Sequence, residues 1–102
     1  MNAYVLTKDA ENDLRDVARY TMQKWGKKSL EEYRAGLAET FAAIGDNQVA
    51  SRQFSANYPQ LRAVKYRFHY IFYLTEGFTR PVIIGVIHEK RDIVSRLSER
   101  LT

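Results

Sequence analysis

The sequence has no cysteine and only two histidines among its 102 residues. Without cysteine, disulfide bonds and catalysis by a thiolate are excluded. Two histidines without a thiol make a structural zinc site unexpected, and we predict neither a metal nor a cofactor. The chain must therefore be stabilised by its own core, and its length predicts a single domain, residues 1–102.

Long apolar runs are also missing. The first twenty residues are rich in acids and contain no continuous apolar stretch, so no signal peptide is expected. No segment approaches the roughly 18 apolar residues that cross a membrane as a helix. We therefore expect a cytoplasmic protein without a membrane partner.

Charge is distributed unevenly along the chain. Residues 1–50 contain seven Lys and Arg against eight Asp and Glu, whereas residues 51–102 contain nine against four. The C-terminal half is thus strongly basic, which favours an anionic partner, either nucleic acid or an acidic protein segment. A solvated basic face without a partner is the alternative.

Two amphipathic helices are predicted after a short strand at residues 3–6. Thr7 is positioned to cap the first helix, and Gly26 to end it. The S-x-x-E pattern at residues 29–32 predicts a capping box for the second helix. Apolar residues recur at helical spacing in both segments. They are Ala10, Leu14, Val17, Ala18, Met22 and Trp25 in the first helix, and Leu30, Tyr33, Leu37, Phe41 and Ile44 in the second. Trp25 is expected to pack against the second helix.

The rest of the chain predicts strands. Residues 48–60 are polar and aperiodic and are interpreted as a loop, followed by strands at 61–65, 69–74 and 82–88. Asp92 is placed to cap a short C-terminal helix. The element order β-α-α-β-β-β, with that possible last helix, predicts an α+β fold in which a mostly antiparallel sheet packs against an N-terminal helical hairpin.

The central strand is apolar on both faces. Tyr70, Phe72 and Leu74 point one way, and Ile71 and Tyr73 point the other. The helical hairpin covers only one face, so the other must be covered by the C-terminal segment, a second copy or a partner chain. Cover by a partner is our expectation.

Few residues suggest catalysis. Phosphate-binding loops, nucleophile elbows and H-E-x-x-H motifs are absent from the sequence. The acids of the first helix, Asp13 among them, are interpreted as a solvated face. A lone histidine beside arginines can serve a metal-free ribonuclease. The candidates are Arg62, His69, His88 and Arg91, although a histidine at a strand end is more commonly structural.

Aromatic residues concentrate around the predicted hairpin at residues 61–74, beside Lys65 and Arg67. Basic and aromatic side chains on a sheet can bind single-stranded RNA. An alternating aromatic strand is equally what the core of a small sheet contains, and we favour that interpretation.

Several short stretches occur together in an order that resembles one family. These stretches are Tyr4-Val5-Leu6-Thr7, Asp13-Leu14-Arg15-Asp16, Lys24-Trp25-Gly26, His69-Tyr70-Ile71-Phe72-Tyr73 and Val86-Ile87-His88-Glu89-Lys90-Arg91-Asp92. With them the chain resembles the ParE toxins of bacterial type II toxin–antitoxin systems, within the RelE/ParE superfamily. The family commonly has Gly in the turn before H-x-I-F-Y, where this chain has Tyr66-Arg67-Phe68.

The resemblance implies a non-enzymatic toxin that inhibits DNA gyrase and blocks replication. It also implies a ParD-like antitoxin that forms a hetero-oligomer with the chain, and no direct sequence-specific DNA binding by the toxin itself. The expected target contacts are Lys90, Arg91, Arg96 and Arg100. The expected antitoxin contacts are Ile71, Tyr73 and Ile84.

Two alternatives remain open from the sequence. One is a ribosome-dependent mRNA endonuclease of the RelE type, which would use the four ribonuclease candidates. The other is a non-toxic family member that acts only in the antitoxin complex, since a fold does not fix a function.

Overall fold

The computed structural model describes residues 3–48 and 51–101. Its elements are β1 (Val5–Leu6), α1 (Lys8–Trp25), α2 (Lys27–Gly45), β2 (Arg52–Ser55), β3 (Tyr58–Tyr66), β4 (His69–Leu74), β5 (Val82–His88) and α3 (Ile93–Leu101). The strands form one sheet in the order β1-β5-β4-β3-β2, and only the pair β1–β5 is parallel. The predicted α+β class and the terminal helix are confirmed.

The helical hairpin turns at a single glycine. Thr7 Oγ1 accepts a hydrogen bond from the Ala10 N–H at 3.2 Å, which confirms the predicted cap of α1. Gly26 has φ of 90°, a conformation open to glycine, and it both ends α1 and precedes α2. The capping box predicted at residues 29–32 is wrong, because α2 already begins at Lys27 and has no side-chain cap.

The buried face of α1 is rotated from the predicted one. It consists of Ala10, Asp13, Val17 and Thr21. Each step of four residues turns about 40° beyond a full turn, so a row of such steps drifts around the helix and away from the core. Trp25 at the helix end is 64% exposed, so its predicted packing against the second helix is wrong.

The predicted loop at 48–60 contains an edge strand. Strand β2 pairs antiparallel with β3, Arg52 opposite Ala63, and β3 itself begins at Tyr58. The pattern escaped detection because the side chains of an edge strand are largely solvated and need not alternate. Between β3 and β4 the chain turns in two residues, Arg67 and Phe68, and Arg67 adopts φ of 50°.

Two hydrophobic cores lie on opposite faces of the sheet. One packs the helical hairpin against the sheet. The other packs α3 against it, with Leu97 only 2% exposed. The expectation that a partner covers the second face is wrong, because the C-terminal helix provides this cover. In the part of the chain that the structure describes, no helix is long and apolar enough to span a membrane.

A bulge in β5 separates residues that sequence reasoning had grouped. Gly85 pairs with Phe72 and Ile83 pairs with Tyr73, which leaves Ile84 as an extra residue on β5. Ile84 therefore belongs to the core beneath α3, whereas Ile71 and Tyr73 belong to the core beneath the hairpin. All three side chains are buried. The three do not form an exposed face, and the expectation of an antitoxin contact through them is corrected accordingly.

Candidate functional site

A buried ion pair fixes α3 to the rest of the fold. Arg100 Nη1 and Nη2 donate to the two carboxylate oxygens of Asp13 on α1, at 2.6 and 2.9 Å. The same carboxylate accepts from the Val86 N–H at 2.9 Å, and Arg100 Nη1 also donates to the Ile84 carbonyl at 3.0 Å. The side chain of Asp13 is 10% exposed and that of Arg100 is 13% exposed. These bonds occupy the edge of β5 beyond the point where β1 stops pairing with it.

This ion pair overturns two predictions. Asp13 is a buried anchor, and the interpretation of the helix acids as a uniformly solvated face is wrong for it. Arg100 is bound inside the fold, and its hydrogen bonds to Asp13 raise its pKa, so the surface target contact predicted for it is wrong. The sequence signal for Asp13 was its place three residues after Ala10 and four before Val17, on the buried face of α1.

A polar cavity of about 380 Å³ lies beside this ion pair, between α1 and the segment that links β5 to α3. Arg91 and Arg96 contribute guanidinium groups to it, and both residues are exposed. It is lined by Asp13, Asp16, Val17, Tyr20, His69, Val86, Ile87, His88, Arg91 and Arg96. The predicted residues His69, His88 and Arg91 are thus brought together.

His69 is buried at the inner end of the cavity. Its Nδ1 lies 2.6 Å from the Tyr33 hydroxyl on α2, and its ring meets that of His88 edge to face at 5.1 Å. Burial, with a further contribution from His88, lowers the pKa of His69 to about 4. Burial likewise raises the pKa of Tyr33 to about 12. Near pH 7 His69 is therefore deprotonated to its neutral form and Tyr33 keeps its phenolic proton, so the hydrogen bond joins two neutral groups.

His88 is more accessible and has a defined tautomer. Its Nδ1 accepts a hydrogen bond from the Lys90 N–H at 3.1 Å, so the neutral ring carries its proton on Nε2. The ring also stacks on that of Phe68, with an angle of 17° between the planes. His88 is thus positioned as a hydrogen-bond donor in its neutral form.

Arg62 lies away from the cavity. It donates to the Ser51 hydroxyl and carbonyl oxygens at 3.0 and 2.8 Å. It pairs with Tyr73, four residues along β4 from His69 and therefore about 13 Å away. The four ribonuclease candidates do not form one cluster. Among residues 3–48 and 51–101, no three His, Asp or Glu side chains come close enough together to hold a metal ion.

A second concave surface, the hairpin groove, runs between α1 and α2. Its volume is about 560 Å³. Apolar side chains from both helices form its floor, and the exposed Arg15 and Arg34 are among its lining residues, together with Arg19. Sequence reasoning missed this groove because periodicity shows that a residue lies on an apolar face and not whether that face is fully covered.

Comparison with known proteins places the chain in a family. Residues 4–93 match the model of the ParE toxin of type II toxin–antitoxin systems, parDE. The chain belongs to the ParE toxin family. It is 34% identical to Toxin ParE of Escherichia coli over 101 residues, which cover 99% of this chain and 98% of that protein. Its fold matches a chain of the chromosomal ParDE system from P. aeruginosa with a TM-score of 0.71 at 16% identity, covering 86% of this chain and 96% of that one.

For this ParE-family chain, the residues predicted to contact a target divide into two groups. Lys90, Arg91 and Arg96 are exposed at or beside the polar cavity, whereas Arg100 is held in the ion pair with Asp13. Three of the four predicted cations therefore remain available on one surface.

Proposed function

We propose that this ParE-type toxin inhibits DNA gyrase by binding it, without catalysing a reaction, and that it does so in the bacterial cytoplasm. The observation that carries the proposal is the exposed basic segment of Lys90, Arg91 and Arg96, next to a polar cavity in a chain of this family. Exposed cations on a rigid scaffold are suited to binding an anionic macromolecular surface.

The arrangement of the ribonuclease candidates supports binding over catalysis. A general base must reach the proton that it removes and must titrate near the working pH. His69 is buried against Tyr33 and has a pKa of about 4, and Arg62 is bonded to Ser51 at a distance from it. His69 is better suited to holding α2 against the sheet, and Arg62 to fixing the segment before β2, than to cleaving RNA.

A ParD-like antitoxin would fit the hairpin groove. The groove combines an apolar floor with Arg15, Arg19 and Arg34. An amphipathic segment with acidic residues along its flanks would bury apolar area there and pair with these arginines. This surface replaces the buried Ile71, Tyr73 and Ile84 as the candidate antitoxin contact, and it shares only Val17 with the lining of the polar cavity.

The proposal is tested with purified gyrase and relaxed plasmid. The full chain should inhibit supercoiling, and the variant R91Q/R96Q should lose at least ten-fold in potency. The matched control R15Q/R34Q removes the same charge from the hairpin groove, keeps Arg19 beside Asp16 of the polar cavity, and should inhibit like the wild type. Equal inhibition by both variants would refute the target surface, and no inhibition by the wild type would refute gyrase as the target.

The antitoxin surface is tested with the same two variants. The variant that served as the control for gyrase is the test variant here. R15Q/R34Q should bind the cognate antitoxin at least ten-fold more weakly in isothermal titration calorimetry, and R91Q/R96Q should bind it like the wild type. The reverse pattern would exclude the hairpin groove as the antitoxin site.

A further inference from the structure

An exposed aromatic ring lies against His88, one of the residues that line the polar cavity. Phe68, in the turn between β3 and β4, is 59% exposed. Its ring lies 6.4 Å from that of His88, centroid to centroid, and the two planes are nearly parallel. The Phe68 carbonyl accepts from the Glu89 N–H at 2.9 Å, which ties the turn to the chain that follows β5. An apolar ring is therefore held in solvent beside the cavity.

Two carboxylates and two guanidinium-bearing residues line the cavity, and each carboxylate has an arginine partner outside the lining. Asp13 is neutralised by Arg100, and Asp16 is within 3.4 Å of Arg19. Glu89, which follows His88, is bonded to Lys65 at 2.6 Å. Arg91 and Arg96 remain on the cavity wall, with Lys90 beside them and the Nε2–H donor of His88. Asp92 offsets part of this positive charge, because Arg96 interacts with its carboxylate.

We propose that this surface, formed by Phe68, His88, Arg91 and Arg96, binds single-stranded DNA without sequence preference. Guanidinium groups pair with phosphate oxygens in a planar, bidentate geometry. An exposed aromatic ring stacks on an unpaired base, and such stacking tolerates any base. His88 connects the two kinds of group here, because it lines the cavity with Arg91 and Arg96 and its ring faces that of Phe68.

Other polyanions fit the surface less well. An acidic polypeptide would pair with Arg91 and Arg96 but would leave the Phe68 face without a planar partner. A DNA duplex keeps its bases stacked inside, so it also has no free base face for that ring. The inference goes beyond the proposed function, because the surface would bind the strand in the absence of gyrase.

The test is fluorescence anisotropy with a labelled twelve-nucleotide oligo-dT and the full chain at low salt. R91Q/R96Q should weaken binding at least ten-fold and reduce the slope of log K against log salt by about 1.4, since each phosphate contact on a single strand contributes about 0.7. F68A should weaken binding at least five-fold, and F68Y should restore it, because stacking needs only the ring. R15Q/R34Q, which removes the same charge from the hairpin groove, should bind like the wild type.

Three results would overturn the inference. They are no binding by the wild type, equal loss in R15Q/R34Q and R91Q/R96Q, or unchanged binding in F68A. If poly-glutamate displaced the labelled oligo-dT as effectively as unlabelled oligo-dT does, the surface would be assigned to an acidic protein instead. Thermal unfolding of each variant, followed by circular dichroism, identifies any loss of binding that is caused by unfolding. The assay contains no gyrase, so its failure leaves the gyrase proposal intact.

Discussion

Replacing Arg100 with Gln should be among the most damaging single changes outside the apolar cores. The substitution leaves the Asp13 carboxylate, 10% exposed, with the Val86 N–H as its remaining partner, and it frees the Ile84 carbonyl. Removing one member of a buried ion pair costs about 3–5 kcal/mol. A domain of this size is stable by about 5–15 kcal/mol in total. The melting temperature should therefore fall by about 12–24 °C for a loss of 3 kcal/mol.

A double-mutant cycle in urea distinguishes this ion pair from a surface contact. Asp13→Asn removes the charge but keeps an oxygen for the Val86 N–H, so the cost of R100Q should shrink by at least about 1.5 kcal/mol in the D13N background. Arg96→Gln, an exposed arginine on the same helix, should change the free energy of unfolding by less than about 0.5 kcal/mol. Additive effects of D13N and R100Q, or a cost of R100Q below 1 kcal/mol, would refute the proposed role of the pair.

Three further perturbations test other parts of the fold. The folded pKa of His69 lies below that of the unfolded chain, so the unfolded state binds more protons between pH 6.5 and 4 and stability falls as the pH drops through that window. In urea denaturation, the free energy of unfolding should fall by about 2 kcal/mol between pH 7 and 5 because of this group. H69N should lack this loss. A pH dependence in H69N equal to that of the wild type would contradict the lowered pKa of His69. Gly36→Ala should destabilise the chain although alanine has the better helix propensity, because a Cβ would overlap the ring of Tyr66. Y66L should relieve this clash in the G36A background. A G36A variant more stable than the wild type would show that the Tyr66 ring moves freely. Leu97→Ala should lower the free energy of unfolding, measured by calorimetry, by about 2–5 kcal/mol, and Trp25→Ala should lower it by less than about 1 kcal/mol, since Leu97 is buried and Trp25 is exposed. Equal effects of the two substitutions would contradict this difference in burial.

The sequence predicted the elements that bury most of their apolar residues. The bounds of β4 and β5 agree with the structure because each is a continuous apolar run rich in aromatic and β-branched residues, and most of the buried row of α2 agrees because its residues repeat at the helix period. Edge strand β2 has no such apolar run and was missed. The bulge at Ile84 was also missed, since an inserted residue changes the face of its neighbours without altering composition.

The surface proposed to contact the target was predicted only in part. Lys90 and Arg91 follow β5 directly, so a position at the sheet's end could be inferred from the sequence. The fate of Arg100 could not, because its partner Asp13 lies 87 residues earlier in the chain and looks like one of many helix acids. A charged residue that the sequence pattern predicts on the surface is buried only where the fold brings its ionic partner beside it.

The stoichiometry of gyrase inhibition tests the central claim most directly. Linear plasmid DNA that accumulates in a purified gyrase reaction is measured as the molar ratio of chain to gyrase rises. A toxin that binds its target without catalysis should increase the linear DNA in proportion to the chain, with a plateau near saturation of the enzyme. No linear DNA at any ratio, together with cleavage of ribosome-bound mRNA by a small fraction of an equivalent of the chain, would contradict the account.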